Sequence, residues 1–309
     1  MTEASVLIVT STFKRPLQLL RAGHSIIGQK YNKWRWHIVD DCSNDDGWTE
    51  SAIRELKRLD SRISSSYNSI NCGATDSKRP YMMNATSDYL ASLDDDDWWE
   101  DAFLSILVRT GQMQKRATIV YSDCWAVNDR GYRYWDCSKG KPFPNILPSC
   151  AVMRTRNYID AGGWDVRLKD YHAEAELYIK VGGPSRLHHV KLPLAYWSDN
   201  SSTMSKNPLK SGKGLVMLVS MHPEMSNKDK ATYLARAGLH FTEGGDSLTG
   251  EALFHEAIKT YPLNLEGLSG YIANKISSKV VVLLGQIYRK WLGMSSRVYK
   301  VVPPQRWKE

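Results

Sequence analysis

The first 125 residues of this 309-residue chain alternate short apolar runs with amphipathic segments, and no other feature constrains the fold as strongly. Strands that alternate with helices are typical of a mostly parallel sheet with helices packed on its faces. The pattern therefore predicts an α/β fold with a mostly parallel sheet that helices cover on both faces. The predicted strands are residues 6–9, 36–39, 63–67, 89–93 and 119–122, and the predicted helices are residues 16–27, 48–59, 78–87 and 103–113.

Four consecutive aspartates, Asp94 to Asp97, directly follow the predicted strand 89–93. Adjacent carboxylates repel one another unless positive charge lies among them. Mg²⁺ and Mn²⁺ would meet this need, because both bind oxygen ligands from one or two carboxylates and from substrate phosphates. The alternative, which these four residues alone leave open, is an acidic first turn of a helix that is stabilised by the helix dipole.

Polar residues also follow two other predicted strands, at residues 10–12 and at Asp40 and Asp41. Ligands bind at the carboxyl ends of the strands in open parallel sheets. Three polar clusters on one predicted sheet edge therefore indicate a binding site.

Composition favours a cytoplasmic globular protein. The chain is 42% hydrophobic and 24% charged, and it has no apolar run as long as a transmembrane helix. Its N-terminus enters the first predicted strand without a signal-like segment. The five cysteines are odd in number and form no CxxC pair, which argues against a zinc site or a disulfide framework and favours reduced thiols.

The C-terminal third has a different pattern. Residues 200–214 are rich in Ser, Asn, Lys and Gly and predict a linker or a mobile loop, and the pattern is helical from about residue 227. One helix pair resembles a single tetratricopeptide unit, but a generic helical hairpin fits better. We therefore expect an α/β domain at residues 1–210 and a helical region at residues 211–309.

The positive charge is concentrated in the tail of that helical region. After residue 268 the chain has eight Lys or Arg side chains against one acid, Glu309, so the tail carries +7 of the net charge of +8. Basic residues beside an apolar face that contains a tryptophan are typical of a helix on an anionic membrane surface. We expect residues 275–308 to bind the inner face of the membrane peripherally; the alternative is that this face packs on the rest of the protein.

The chain has no P-loop, dinucleotide fingerprint, GxSxG elbow or HExxH motif, so kinase, dehydrogenase and serine hydrolase functions have no support. It instead contains an ordered set of six motifs: VTSTFKRP (9–16), IVDDCS (38–43), NCGA (71–74), LDDDDWW (93–99), GGWD (162–165) and AEAELYIK (173–180). Through these motifs the chain resembles, over residues 4–205, the family 2 glycosyltransferases, which have the GT-A fold with a Rossmann-like, mostly parallel sheet.

The resemblance implies a nucleotide-sugar donor, most often a UDP-sugar, a Mn²⁺ or Mg²⁺ ion, and inversion at the anomeric carbon. Thr10 would line the nucleoside site. Asp41 would accept a hydrogen bond from the base, with a helix or turn cap as the alternative. A basic residue near the nucleotide would be Lys78 or Arg79, and the sequence does not choose between them.

The resemblance also assigns roles to the acidic residues. Asp94 begins the DxD pattern, Asp95 matches a position that faces the ribose, and Asp96 is the best single candidate for a metal ligand. Glu174 matches the catalytic base, which in the family is usually an aspartate. A shift of the alignment would make Glu176 or Asp170 the base instead.

We therefore expect an inverting, metal-dependent glycosyltransferase that moves a sugar to a hydroxyl of a glycan or lipid-linked acceptor in bacterial-type surface polysaccharide synthesis, with no nucleic acid partner. One alternative is a nucleotidyltransferase that forms sugar nucleotides, but residues 10–16 lack the glycine-rich loop that it would need. The other is a non-catalytic module that binds membrane surfaces, which would leave the acidic sheet edge unexplained.

Overall fold

A computed structural model of the protein describes residues 3–139, 146–168, 171–199, 207–276, 280–284 and 298–299. The strands are β1 Val6–Thr12, β2 Trp34–Asp40, β3 Ile63–Tyr67, β4 Tyr89–Ser92, β5 Trp98–Trp99, β6 Ile119–Asn128, β7 Gly131–Trp135, β8 Ala151–Arg154, β9 Leu187–Ser198 and β10 Val298–Tyr299. The helices are α1 Pro16–Ile27, α2 Trp48–Leu59, α3 Ala74–Met83, α4 Phe103–Met113, α5 Thr155–Asp160, α6 Ala173–Lys180, α7 Pro208–Met221, α8 Asn227–Glu243, α9 Ser247–Thr260 and α10 Leu265–Ile276.

The strands form one mixed sheet in the order β10-β7-β6-β8-β4-β1-β2-β3, and β9 pairs with both β5 and β6. The pairs among β1, β2, β3 and β4 are parallel, as the sequence pattern predicts. β8 runs antiparallel to both β4 and β6, and β7 runs antiparallel to β6. The parallel arrangement therefore describes the first half of the sheet, whereas the second half is mixed.

The helices α1 and α2 pack closely because of a glycine. The buried face of α1 contains Leu19, Ala22 and Ile26, and it lies on the same core as the apolar residues of β1 and β2. A Cβ atom on Gly23 would lie 2.4 Å from a methyl carbon of Leu56 in α2, so any side chain there would push the two helices apart. This packing fixes the first two strands, whose carboxyl ends lie beside the site.

The predicted linker is wrong for residues 208–214, because they belong to helix α7. Helix α7 begins at Pro208, and the side chain of Asn207 caps it by accepting a hydrogen bond from the Lys210 N–H, so residues 208–214 are helical. Lysine and glycine in this segment suggested a loop, but the cap and the tertiary contacts of Leu215 and Leu218 override that composition. The predicted domain boundary at residue 210 falls inside this helix, and the division into two domains stays a prediction.

The C-terminal helices form a second, smaller core around Leu234, Phe254 and Ala257. Helices α8 and α9 are the predicted helical hairpin. Among the helices that the structure describes, none combines the length and the hydropathy of a membrane-spanning segment. Most of residues 275–308 lie outside the described residues, so the predicted membrane contact stays a prediction.

Candidate active site

A cavity of about 380 Å³ opens at the carboxyl end of β4. All four aspartates of residues 94–97, which we call the acidic rim, line it. The other walls come from distant parts of the chain, since α3, α6, α7, the end of β9 and the turn before β8 all contribute. Those lining residues include Ser11, Arg15, Lys78, Leu147, Trp164, His172, Glu174, Ser198 and Ser211.

Arg15 neutralises the centre of the acidic rim. Its guanidinium Nη1 lies 3.1 Å from a carboxylate oxygen of Asp95 and 2.9 Å from one of Asp96. The hydroxyl of Thr12 donates a 2.8 Å hydrogen bond to the other oxygen of Asp95. Because Thr12 ends β1 and Arg15 precedes α1, the loop after the first strand holds these two acids in place.

Lys78, and not Arg79, is the basic residue that faces the cavity from α3. The buried ammonium of Lys78 donates to Asp94 at 2.7 Å and to the hydroxyl of Ser92 at 2.9 Å. Arg79 instead donates from Nε to the Trp164 carbonyl, and from Nη2 to the Gly162 carbonyl, each at 2.9 Å. Of the two predicted candidates, Lys78 is the one placed to meet an anionic ligand, and Arg79 holds the segment that carries Trp164.

The four aspartates have different surroundings. Asp97 is buried and accepts a 2.9 Å hydrogen bond from the Ser198 N–H, which ties the rim to the end of β9. Burial raises the pKa of Asp95 to about 6, although Arg15 acts in the opposite direction. Burial, followed by the negative charge of Asp94, raises the pKa of Asp96. The basic neighbours of the rim, which are Arg15, Lys78 and Arg21, therefore do not fully offset the cost of burying the charged forms of Asp95 and Asp96.

The donor chemistry of the rim fits a hard divalent cation. Asp94 has a side chain that is 39% exposed and Asp96 one that is 17% exposed, and both carboxylates line the cavity. Among the described residues, two groups of three potential ligands come within 4.8 Å of one another, and neither group includes a residue of the rim. The rim therefore fits an ion that is held by one or two carboxylates and completed by ligand phosphates, as is usual for Mg²⁺.

Glu174 lines the same cavity as the acidic rim. It lies in the first turn of α6, and its side chain is half-buried. Burial and then the charge of Asp94 raise its pKa, while Lys78 lowers it, so these three groups share one electrostatic environment. A carboxylate with a raised pKa in a cavity is a candidate general base.

Glu176 is not placed for that role. It is buried on another side of α6, where its carboxylate lies 2.9 Å from the Lys180 ammonium and 3.6 Å from the His222 imidazole. It is absent from the residues that line the cavity. The third candidate, Asp170, lies outside the described residues.

Thr10 and Asp41 lie at the predicted sheet edge but do not line the cavity. The hydroxyl of Thr10 is buried and accepts a 3.0 Å hydrogen bond from the Trp36 indole. The carboxylate of Asp41 accepts hydrogen bonds from the N–H groups of Cys72 and Gly73, at 2.9 and 2.8 Å. Burial would raise the pKa of Asp41, but these bonds and that from Asn68 lower it. Their predicted contacts with the nucleoside stay predictions.

The profile of the glycosyl transferase family 2 matches residues 7–165, which is more than half of the chain. The chain belongs to this family. Among curated proteins it is 29% identical over 172 residues to WcaA of Escherichia coli (strain K12), which is named as a colanic acid biosynthesis glycosyl transferase. That alignment covers 55% of this chain and 60% of WcaA, so less than two thirds of the relative is matched.

Solved structures of low sequence identity share the fold of this family 2 chain. One is residues 1–349 of S. aureus TarS in complex with UDP-GlcNAc, with a TM-score of 0.66, 16% identity, and coverage of 94% of this chain and 91% of that one. Another is the mannosyltransferase PcManGT of Pyrobaculum calidifontis in complex with GDP-Man and Mn²⁺, with a TM-score of 0.61, 15% identity, and coverage of 95% and 84%. The likeness confirms the predicted GT-A fold.

Several residues of this family 2 site cannot be recognised from the sequence motifs. Arg15 lies within the VTSTFKRP motif, but nothing in the motif indicates that it pairs with two aspartates 80 residues further on. His172, which is part of none of the motifs, is half-buried, lines the cavity and hydrogen-bonds the Ser211 hydroxyl at 3.0 Å. Ser211 lies in the segment that was predicted as a linker, so no local signal pointed to this contact.

We expect the low pKa of His172 to make the stability of this family 2 chain depend on pH. Burial lowers the pKa of His172 to about 4, and the positive charges of His240 and Arg236 act in the same direction. The unfolded chain, whose histidine has an ordinary pKa of about 6.5, takes up the proton first, so acidification from pH 6.5 to 4 favours unfolding. Chemical denaturation of wild type and His172→Gln should show a smaller loss of stability between pH 7 and pH 5 in the variant. Parallel losses would show that His172 does not contribute.

Proposed function

We propose that this chain is an inverting, metal-dependent glycosyltransferase. It would transfer a sugar from a nucleotide-sugar, with a UDP-sugar favoured, to a hydroxyl of a glycan or lipid-linked acceptor in cell-surface polysaccharide synthesis. The observation that carries the proposal is that Glu174, the acidic rim and Lys78 line one cavity, where the charges of Asp94 and Lys78 act on Glu174. A base on one side and a cationic or metal-binding group on the other is the arrangement that an in-line displacement requires.

The chain's own residues divide the chemistry between them. Lys78 and Arg15 would neutralise the diphosphate on which negative charge develops as the sugar leaves. Asp96, with Asp94 beside it, would hold Mn²⁺ or Mg²⁺, which acts as a Lewis acid on phosphate oxygens when bound. Glu174 would remove the proton from the acceptor hydroxyl, and attack from the face opposite the diphosphate would invert the anomeric carbon.

The comparisons support the class of donor and a role in polysaccharide synthesis. TarS and PcManGT, which share the fold, were solved with UDP-GlcNAc and with GDP-Man and Mn²⁺. WcaA is named for the synthesis of a surface polysaccharide. UDP is favoured here because Asp41 matches the position that accepts from the base in the resemblance. A peripheral location on the inner face of the membrane is part of the same proposal and rests on the basic tail.

The test is a panel of UDP- and GDP-sugars with Mn²⁺, with release of the nucleoside diphosphate as the readout. We expect one donor to release its nucleoside diphosphate, and EDTA to stop the release. Calorimetry with the same panel measures binding when turnover without acceptor is slow. Release of diphosphate from UTP and a sugar phosphate would favour a nucleotidyltransferase, and no binding of any donor would overturn the proposal.

A further inference from the structure

Three cysteines that are far apart in the sequence meet in the core. Cys124 lies in β6, Cys137 follows β7, and Cys150 ends the short 3₁₀ helix before β8. Their sulfur atoms all lie within 4.8 Å of one another, and each residue has 0% of its surface exposed. The spacing in the sequence argued against a zinc site, but the antiparallel half of the sheet, which the sequence did not reveal, brings the thiols together.

We propose that Cys124, Cys137 and Cys150 form a three-sulfur site for a thiophilic cation of the Zn²⁺ and Cu⁺ class, separate from the acidic rim. Thiolates select these soft ions over Mg²⁺ and Mn²⁺. Three sulfurs bound to one ion at about 2.3 Å would be about 3.8–4.0 Å apart, which lies inside the 4.8 Å within which these three sulfurs come together. Binding would release the thiol protons to solvent, and the resulting thiolates would hold the ion.

The surroundings favour a structural ion. The sulfurs are excluded from solvent, which suits a closed structural site loaded during folding and not an open catalytic one. Within the part of the chain that the structure describes, no fourth His, Cys, Asp or Glu ligand joins the group. Structural Zn²⁺ sites almost always have four ligands, so a group of three sulfurs does not by itself favour Zn²⁺ over Cu⁺. A divalent ion would, however, leave less net charge on three buried sulfurs than a monovalent one. Both ions are therefore tested.

A neighbouring group of potential ligands has a different explanation. Asp123, Asp136 and His189 also converge within 4.8 Å. Asp123 accepts hydrogen bonds from the Tyr134 hydroxyl, from the Cys137 N–H at 3.0 Å and from His189 Nε2 at 2.7 Å. These partners stabilise the buried carboxylate without an ion.

An ion on the three sulfurs would also stiffen one wall of the active-site cavity. Cys150 follows Ser149, whose hydroxyl accepts a 3.2 Å hydrogen bond from the Asp94 N–H and whose carbonyl accepts one from the Trp99 indole at 2.6 Å. The Cys150 N–H donates to the carbonyl of Leu147, which lines the cavity. The site would thus join β6 to the turn that supports the acidic rim.

The test is the metal content of the full chain, expressed in medium with zinc or with copper and purified with a reductant. An EDTA wash strips ions from the acidic rim, which opens to solvent, so the ion that remains is the buried one. We expect wild type to keep about one ion per chain. Cys137→Ser should keep at most about one tenth of that amount. The matched controls are Cys42→Ser and Cys72→Ser, whose half-buried thiols lie outside the group, and they should keep the wild-type content.

A measurement on wild type alone guards against a variant that fails to fold. Protein expressed with Co²⁺ and washed with EDTA should show the absorption of sulfur-to-cobalt charge transfer, which carboxylate ligands do not produce. Wild type that keeps no ion and shows no such absorption would overturn the proposal, and the three residues would then be small apolar core side chains. An ion content that is equal in wild type and Cys137→Ser would overturn it as well.

Discussion

The substitution Glu174→Gln is expected to slow sugar transfer by about 10²–10⁴-fold, the usual contribution of a general base. The change from glutamate to glutamine keeps the shape of the side chain but removes its ability to accept the proton of the acceptor hydroxyl. Donor binding should persist, because Lys78, Arg15 and the acidic rim remain. The measurement is kcat for transfer, together with the dissociation constant of the donor from calorimetry.

The environment of Glu174 adds a pH signature to this loss. Burial and the charge of Asp94 raise its pKa, so wild-type kcat should fall as pH drops through that raised value. In Glu174→Gln this dependence should be absent, since the titrating group is gone. A variant that is slow but has the wild-type pH profile would indicate a positional role and not a catalytic base.

Glu176→Gln is the matched control on the same helix. Glu176 pairs with Lys180 and lies outside the cavity lining, so its replacement should lower the melting temperature and leave kcat within about 10-fold of wild type. If Glu176→Gln lost activity as Glu174→Gln is expected to do, the assignment of the base would move to Glu176. Retained transfer in both variants would direct attention to Asp170.

The part of the fold that the sequence predicts is the part with regular alternation. β1, β2 and β4 are apolar runs between amphipathic helices, and the structure confirms them. β7, β8 and β9 were not predicted. β8 lies directly between a short 3₁₀ helix and α5, with no turn residues to mark its ends, and β9 carries a register shift near Pro193 that breaks the period of two. The missing strands are those that turn a parallel sheet into a mixed one.

The candidate site shows the same limit. Asp94 to Asp97 stand out in the sequence because four adjacent carboxylates need an explanation. Arg15, His172 and Ser211 do not stand out, since each depends on a contact between residues that are distant in the chain. The convergence of Cys124, Cys137 and Cys150 was missed for the same reason: a motif search detects ligands that are close in sequence, and these are joined by strand pairing.

The substitution Asp96→Asn is expected to weaken the binding of Mn²⁺ in the presence of UDP by about 10²-fold. It should also lower the rate of sugar transfer by about 10²–10³-fold. Asparagine keeps the size of the side chain but removes a charge that faces the cavity. The Asp96 carboxylate also holds Arg15 at 2.9 Å, so the variant should leave that guanidinium on Asp95. Calorimetric titration of Mn²⁺ into the protein with UDP measures the first effect, and nucleotide release at saturating Mn²⁺ measures the second.

Asp101→Asn is the matched control, because Asp101 is a partly exposed acid that pairs with Lys30 at 3.0 Å and lies outside the cavity lining. It should bind Mn²⁺ with UDP as wild type does.

Asp94→Asn separates the two carboxylates that face the cavity. Loss of Mn²⁺ binding in Asp94→Asn but not in Asp96→Asn would make Asp94 the ligand and limit Asp96 to holding Arg15. Unchanged Mn²⁺ affinity in both variants would contradict a metal site on the rim. Arg15 and Lys78 would then be the groups that stabilise the negative charge on the leaving diphosphate.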